Sequence, residues 1–495
     1  MKPKLLIQTF LSFALTASLF VPIVHAETSW TEWPDNPILS RDAAVDYPAV
    51  LYDPDRFSGH GDAVTYKMWS DQDLQYFTSD NGIEWNFVKD TAGGLAGPVG
   101  HPVVEYYPDG FDAVKLGDPP FDDKMFYRLW YWNESYLTGI DAIYYAESPD
   151  GVTWYNNQPI SQDPDAPLIV TGNTDDWNAG SYGPADVLYN PKARNRGTDW
   201  AFSMYYDGTD LGDESLGIAF SKDGIHWIGH DTDGDGKADP ILVGGGPDDW
   251  DGGAKGYVSR ATVIKIKKRY HMWYSGGETD MNDGIGYAGS RDGIGWVKSS
   301  ANPIFHISDG VPWRTERTYT PLVIYDPDAF CGSGHAFYYK MWFSGRAVDK
   351  TVGYAVGGEP SRDCFDIHHA MVLRPKGKRN KQVFVLQAIF WAEIPDKEED
   401  RVVFALNGQE LVNVEFVRFA NSRNGYVYRS PKQEKPSVKM TLNFDKGTWH
   451  LAVKDVDLYD LGREIEYRLE VGAFIGSLGL KMREKKNGFY YLKEE

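Results

Sequence analysis

The chain has 495 residues, with 71 Asp and Glu against 50 Lys and Arg and a net charge of -21. That balance repels phosphate backbones and no basic face is evident, so nucleic acid is excluded as an expected partner. A 24% charged and 42% apolar composition is that of soluble protein, long enough for a large domain and a small one, and 15% aromatic content with 17 Trp suits sheets with stacking surfaces.

Lys2 and Lys4 precede the apolar run LLIQTFLSFALTASLFVPIV, which ends in Val24-His25-Ala26. This predicts a signal peptide over 1–26, cleaved near Ala26, and a secreted or periplasmic protein. No later stretch is long enough to span a bilayer.

The mature chain is organised around a repeat. YHMWYSGGETDMNDGIGYAGSRDGIGWVK, Tyr270 to Lys298, reads as three short strands with a tight turn at Asp292-Gly293. Altered copies begin at Tyr66, Tyr127, Phe202 and Tyr338, and each copy is preceded by one further strand, from Asp46, Gly100, Tyr182, Val258 and Tyr319. Four of these inner strands carry an early Pro, at Pro48, Pro102, Pro184 and Pro321, a position where a strand tolerates it. Five copies of a four-stranded unit predict an all-β fold, a five-bladed β-propeller over 27–358.

The fifth copy lacks its Trp strand. SWTEWPDNPILS, Ser29 to Ser40, matches WVKSSANPIF, Trp296 to Phe305, so the N-terminal segment is expected to supply that outer strand and close the ring. A linker over 359–365 leads to 366–495, where KMTLNFDKGTWHLAVKDVDL and EIEYRLEVGAFIGSLGLKMR alternate as in a small β-sandwich. The basic run Arg374 to Lys381 reads as a solvated loop.

Strand alternation brings the start of each inner strand and the end of each second strand to one rim. That rim collects Asp46, Asp71, His101, Glu134, Asp186, Asp207, Arg260, Glu278, Arg317 and Arg346, with Glu316 beside them. Trp69, Trp177 and Trp250 are candidates to stack on a sugar ring, and the acids and arginines to bond its hydroxyls or act as acid and base. The Ser-x-Asp-Gly-x-x-Trp turns read instead as hairpin fasteners, Asp bonding turn amides and Trp packing between blades.

Asp231, Asp233, Asp235 and Asp239 in DTDGDGKADP match the first part of a calcium loop, with Leu242 where its twelfth-position acid would stand, so a structural calcium is expected and no organic cofactor. Cys331 and Cys364, in a chain bound for an oxidising compartment, are expected to form one disulfide.

The unit MWYSG, then IGYA, then SRDGIGW, on five blades, resembles the propeller glycosidases of glycoside hydrolase families 43 and 32 and the related mannoside phosphorylases of family 130, over about residues 29 to 358. In families 43 and 32 an Asp base opens the inner strand of blade one, with a second Asp and a Glu acid on later blades. The resemblance implies Asp46 as base and Asp186 as the second Asp. The inner strand of blade four, VSRAT, holds no acid, so the remaining role falls to Glu278 or Glu316. A monomeric glycoside hydrolase acting on polysaccharide or oligosaccharide is expected, the alternatives being a non-catalytic glycan-binding propeller or a glycoside phosphorylase.

Overall fold

A computed structural model describes residues 29–492 apart from 42, 72, 112–123, 134–141, 163–175, 180–182, 195–199, 210–212, 254–255, 279–282, 328, 331–336, 361–364, 374–381, 391–400, 423–424, 444–447, 459–463, 472–473 and 486–487. The expected signal peptide, Glu134, Cys331, Cys364, the basic run and most of the expected linker lie outside the described residues.

The repeat folds as the spacing predicts, as antiparallel strands in chain order. In the first copy these are Ala49–Tyr52, Tyr66–Ser70, Gln75–Ser79 and Asn86–Asp90; in the fourth, Tyr257–Ile266, Arg269–Gly277, Gly284–Ser290 and Trp296–Lys298. The fifth copy has Arg317–Tyr325, Phe337–Arg346 and Lys350–Pro360, and its fourth strand is Trp30–Glu32, paired as Trp30 with Gly357 and Glu32 with Ala355. The third and fourth sheets join through one parallel pair, Glu214 with Tyr257.

Second strands depart from simple alternation. Met68, Trp69, Met272, Trp273, Met341 and Trp342 are consecutive pairs with essentially no exposure on either face. Neighbours in the chain pack to opposite sides, Met68 with Trp342 and Trp69 with Tyr127, Met272 with Tyr205 and Trp273 with Met341, so both faces of these strands are dry and must be apolar. The turns behave as fasteners. Ser290 Oγ accepts from Gly293 N–H at 2.9 Å, and Asp292 Oδ1 accepts from Ile294 and Gly295 N–H at 2.9 Å. The carbonyl freed at the turn glycine is taken by the next sheet: Trp342 Nε1–H donates to Gly82 at 2.7 Å, Trp69 to Gly151 and Trp130 to Gly224 at 2.8 Å, and the Tyr205 hydroxyl to Gly293 at 3.1 Å. Gly82 sits at φ +77, and a Cβ there would stand 2.9 Å from the Trp342 ring, so both backbone and space demand glycine.

Among the described residues Trp273 Nε1, the fourth-copy counterpart of those donors, has no hydrogen-bond partner; its ring instead meets the edge of Trp30 at 5.8 Å. The architecture is a propeller-like core of antiparallel sheets with, among the described residues, one small α-helix, Pro191–Arg194. Beyond it an eight-stranded and a four-stranded sheet share a second core, where Phe404 packs between Phe384 and Trp449. Among the described residues no helix is long and apolar enough to cross a membrane.

Candidate functional site

The inner strands wall a cavity of about 320 Å³. At its mouth four of them carry the same distortion. Tyr47, His101, Arg260 and Thr320 occupy matching positions and all have positive φ, at 53, 47, 49 and 48°. In three of the four, Pro follows, which disfavours helical backbone at the residue before it. Side chains held there cost about 1–3 kcal/mol each, so surrounding bonds must enforce the conformation.

Those bonds come from neighbouring sheets. Thr320 N–H donates to Ser275 Oγ at 2.8 Å, Tyr47 N–H to Ser344 Oγ at 3.0 Å, and Arg260 N–H to Asp207 Oδ1 at 2.6 Å. Ser275, Ser344 and Asp207 are equivalent positions, each next to glycine near the end of a second strand. The third repeat thus places a carboxylate where the fourth and fifth place a hydroxyl.

Around Asp207 the side chains converge. Asp207 Oδ2 lies 3.8 Å from His101 Nδ1, the His101 imidazole stacks on Tyr47 at 4.3 Å and 20°, and the Arg260 guanidinium lies 5.2 Å from the Tyr47 ring centre. Burial, then the negative charge of Glu214, pushes the Asp207 carboxyl up to about 7, against the pull of Arg260. His101 is driven well below its ordinary value by burial and then by Arg260 and Lys350, which makes it a neutral imidazole. Asp207, His101, Tyr47 and Arg260 therefore meet beside the strained strand starts, with Glu214 near enough to act on Asp207 through its charge. Glu214 and Tyr47 are missing from the sequence-based set. The signal for the mouth was the aligned Ser-Gly, Ser-Gly, Asp-Gly series at the second-strand ends.

Asp46 lies in a different setting. It is wholly buried, and its Oδ2 accepts from the Tyr319 hydroxyl at 2.9 Å and pairs with Lys350 Nζ at 2.7 Å. Without exposed surface and tied to an ammonium and a hydroxyl of the fifth repeat, this carboxylate anchors the first and fifth sheets to each other. Among the described residues its Oδ1 has no hydrogen-bond partner.

Asp186 faces the cavity from the wall rather than the mouth. Its two oxygens accept from Val187 N–H at 2.8 Å and Val263 N–H at 2.6 Å, and burial pushes it up to about 7 against those bonds. Glu105 lines the same cavity and is raised well above the carboxylate range by burial and by Asp186. Glu278 and Glu316 are exposed; Glu316 pairs with Arg346 at 3.3 Å, and Arg317 stands opposite Arg346 in the ladder. The four acids expected to be catalytic thus occupy separate settings. Asp71 is half-buried beside Asp46, its N–H donating to the Asp46 carbonyl at 3.1 Å.

The three tryptophans differ in their settings. Trp69 has no exposed surface and fastens two sheets, so it offers no ring face to a ligand. Trp177 lies over Gly208 and Gly217, and Trp250 over Gly276 and Gly286; a Cβ on any of these glycines would come within 2.9 Å of the indole. Trp313 repeats the arrangement over Gly345 and Gly353.

Asp231, Asp233 and Asp239 bring one oxygen each within 4.8 Å of one another, an acidic cluster that could coordinate a divalent cation. Asp235 is outside this cluster and accepts instead from Lys237 N–H at 2.9 Å. Asp231 accepts from Gly234 and Gly236 N–H, which holds its carboxyl below the ordinary range.

No protein-family model and no curated protein matches the chain. Solved structures with a similar arrangement include an N-acetylgalactosamine deacetylase from F. plautii, at TM-score 0.41 and 14% identity, covering 66% of this chain and 93% of that one. GH43B of the Bacteroides ovatus xyloglucan PUL gives 0.40 and 10%, covering 92% of each chain. A xylan β-1,4-xylosidase from Bacillus halodurans gives 0.39 and 8%, covering 90% and 91%.

Proposed function

We propose that the chain is a secreted glycan-acting protein, a glycoside hydrolase on a five-bladed propeller closed by its N-terminal strand, whose working carboxylates are Asp207 and Glu214. The observation that carries this is the cluster of Asp207, His101, Tyr47 and Arg260, the last three lining the central cavity, in which burial and the charge of Glu214 push the Asp207 carboxyl up to about 7. A carboxyl still protonated near neutrality can give its proton to a glycosidic oxygen, and an adjacent carboxylate can stabilise or trap the oxocarbenium-like centre that develops as the bond breaks. Water then adds to the sugar carbon and returns a proton to Asp207. In this reading Tyr47 supplies the ring face, the Arg260 guanidinium donates to sugar hydroxyl oxygens, and neutral His101 forms a hydrogen-bonding wall. The acidic loop holds a structural calcium.

The test is a panel of plant and microbial polysaccharides with reducing-sugar detection. Wild type should cleave one class, Asp207→Asn should lower kcat by about 10² to 10⁴-fold, and Glu214→Gln should do likewise. Full activity in Asp207→Asn on a cleaved substrate overturns the assignment. One observation favours a second reading, glycan binding without cleavage: Asp46, where the glycosidase resemblance puts the base, is neutralised by Lys350. Calorimetric binding of a glycan that the wild type never cleaves would establish that alternative.

A further inference from the structure

A second cavity, of about 420 Å³, opens on the third repeat, with Ser161, Trp200, Lys222, Asp223, His226 and Ile228 among its walls. That volume lies within the range that ligand pockets occupy. Trp200 stands just before the strand Phe202–Thr209, whose other end carries Asp207. The strand between Phe202 and Asp207 sets them about 17 Å apart, so this cavity is separate from the mouth.

The register brings its side chains together. Phe220 stands opposite Ile228 in the ladder, so the two point to one side of the sheet, and His226, two residues before Ile228, follows them. The short strand Ser161–Gln162 pairs parallel with His226–Gly229 and sets Ser161 beside His226. Trp200 lies on the same side: its ring stacks on Phe220 at 6.3 Å and 26°, and the Lys222 ammonium is 5.4 Å from its centre. The residue is nevertheless 44% exposed. Val64, Met125, Lys268 and Phe337 hold its position in the other copies, so the exposed indole belongs to the third repeat and not to the blade as such.

The charges are arranged unevenly. Asp223 Oδ1 accepts from Ile225 and His226 N–H at 2.8 and 2.9 Å, and its Oδ2 lies 2.6 Å from His226 Nδ1. The carboxylate is thus committed to its own turn, while His226 keeps Nε2 for another partner. Among the described residues Lys222 pairs with no carboxylate, and its side chain meets the indole instead. In a chain of net charge -21, a cavity whose uncommitted charge is an ammonium selects an anion. The indole beside it favours a flat apolar face on the same molecule. A uronate ring joins the two, with a C–H face, a carboxylate at its edge and hydroxyls around it. We propose that this cavity is a second glycan site, binding a uronate residue of an acidic polysaccharide with the ring on Trp200, the carboxylate on Lys222 and hydroxyls on Ser161 and His226. It holds a chain on the flank of the propeller and leaves the mouth free.

The test is ¹⁹F NMR of protein labelled with 5-fluorotryptophan, the Trp200 signal being assigned by its loss in Trp200→Phe. Tetragalacturonate should move that signal saturably, and added salt should weaken the binding. Lys222→Gln should raise Kd about fivefold, Lys222→Arg should keep it near the wild-type value, and both should melt like wild type because the side chain is exposed. The neutral galactose tetramer and AMP, a flat ring joined to a phosphate, should leave the signal in place. A Trp200 signal unmoved by tetragalacturonate overturns the proposal, as does an unchanged Kd in Lys222→Gln. Binding of the neutral tetramer or of AMP at equal strength overturns the uronate assignment. The signal reports this cavity alone, so a wild type that cleaves nothing ends the hydrolase reading and leaves this one to be decided by the titration.

Discussion

Lys350 reaches back across the sheet interface to Asp46, placing its ammonium 2.7 Å from a carboxylate that has no exposed surface. Tyr319 donates to the same oxygen at 2.9 Å. Removing one member of such a pair strands the other in a dry site. Because the Lys350 side chain is 32% exposed, the expected loss for Lys350→Met is about 2 to 3 kcal/mol, below that of a fully buried pair. Asp46→Asn in the Lys350→Met background should recover much of it. Urea denaturation of the single and double variants checks this, and equal stability of wild type and Lys350→Met would remove the anchor role.

Asp186 and Asp207 predict an unusual pH dependence. Each holds its proton to about pH 7 when folded and releases it near 4 when unfolded, so the folded chain binds more protons between these values. Their contribution to stability is therefore greatest at low pH, declines as pH rises from about 4 to 7, and levels off above. His101, depressed by burial, acts in the opposite sense and adds stability as pH rises toward its unfolded value near 6.5. Asp186→Asn isolates one carboxyl: its stability should fall less steeply than that of wild type across this window, by up to about 1.4 kcal/mol per pH unit. Parallel curves for the two proteins would show that Asp186 titrates normally.

The N-terminal strand should behave as core structure. Trp30 packs edge-on against Trp273, and the Glu32 carboxylate takes the Nε–H of buried Arg314 at 3.1 Å. Deleting residues 29–40 exposes the edge of Lys350–Pro360 and leaves Arg314 short of an acceptor, so the truncated protein should melt well below the mature one and aggregate. Light scattering and calorimetry test this; an unchanged melt would mean that the strand contributes nothing to the sheet.

Chelation should lower the melting temperature through Asp231, Asp233 and Asp239, whose oxygens cluster within 4.8 Å. A bound ion stabilises only the state that holds it, by RT ln(1 + [L]/Kd). Asp233→Ala should melt like the chelated wild type and respond to neither chelator nor added calcium. Insensitivity of the wild type to both would leave the loop with hydrogen bonds alone.

The repeat itself was legible because its signals are local. Serine, aspartate and glycine at fixed spacing form a turn from their own side chains and amides, as at Ser290, Asp292 and Gly293, and a missing Trp strand could be matched to Trp30 by pattern alone. The mouth was not legible in this way. Asp207 and Arg260 lie 53 residues apart, and Tyr47 and Ser344 lie 297 apart. Every copy supplies a locally equivalent residue, so the sequence alone determined which positions reach a rim, while only the packing of sheet against sheet decided which are buried, which are paired and which meet. Asp46 and Asp207 make the difference concrete. Both are acids near rim-facing strand ends, but Lys350 and Tyr319 close around one, while the other keeps its proton beside Glu214, because burial and neighbouring charge are properties of the assembled walls and not of the strand that carries the residue.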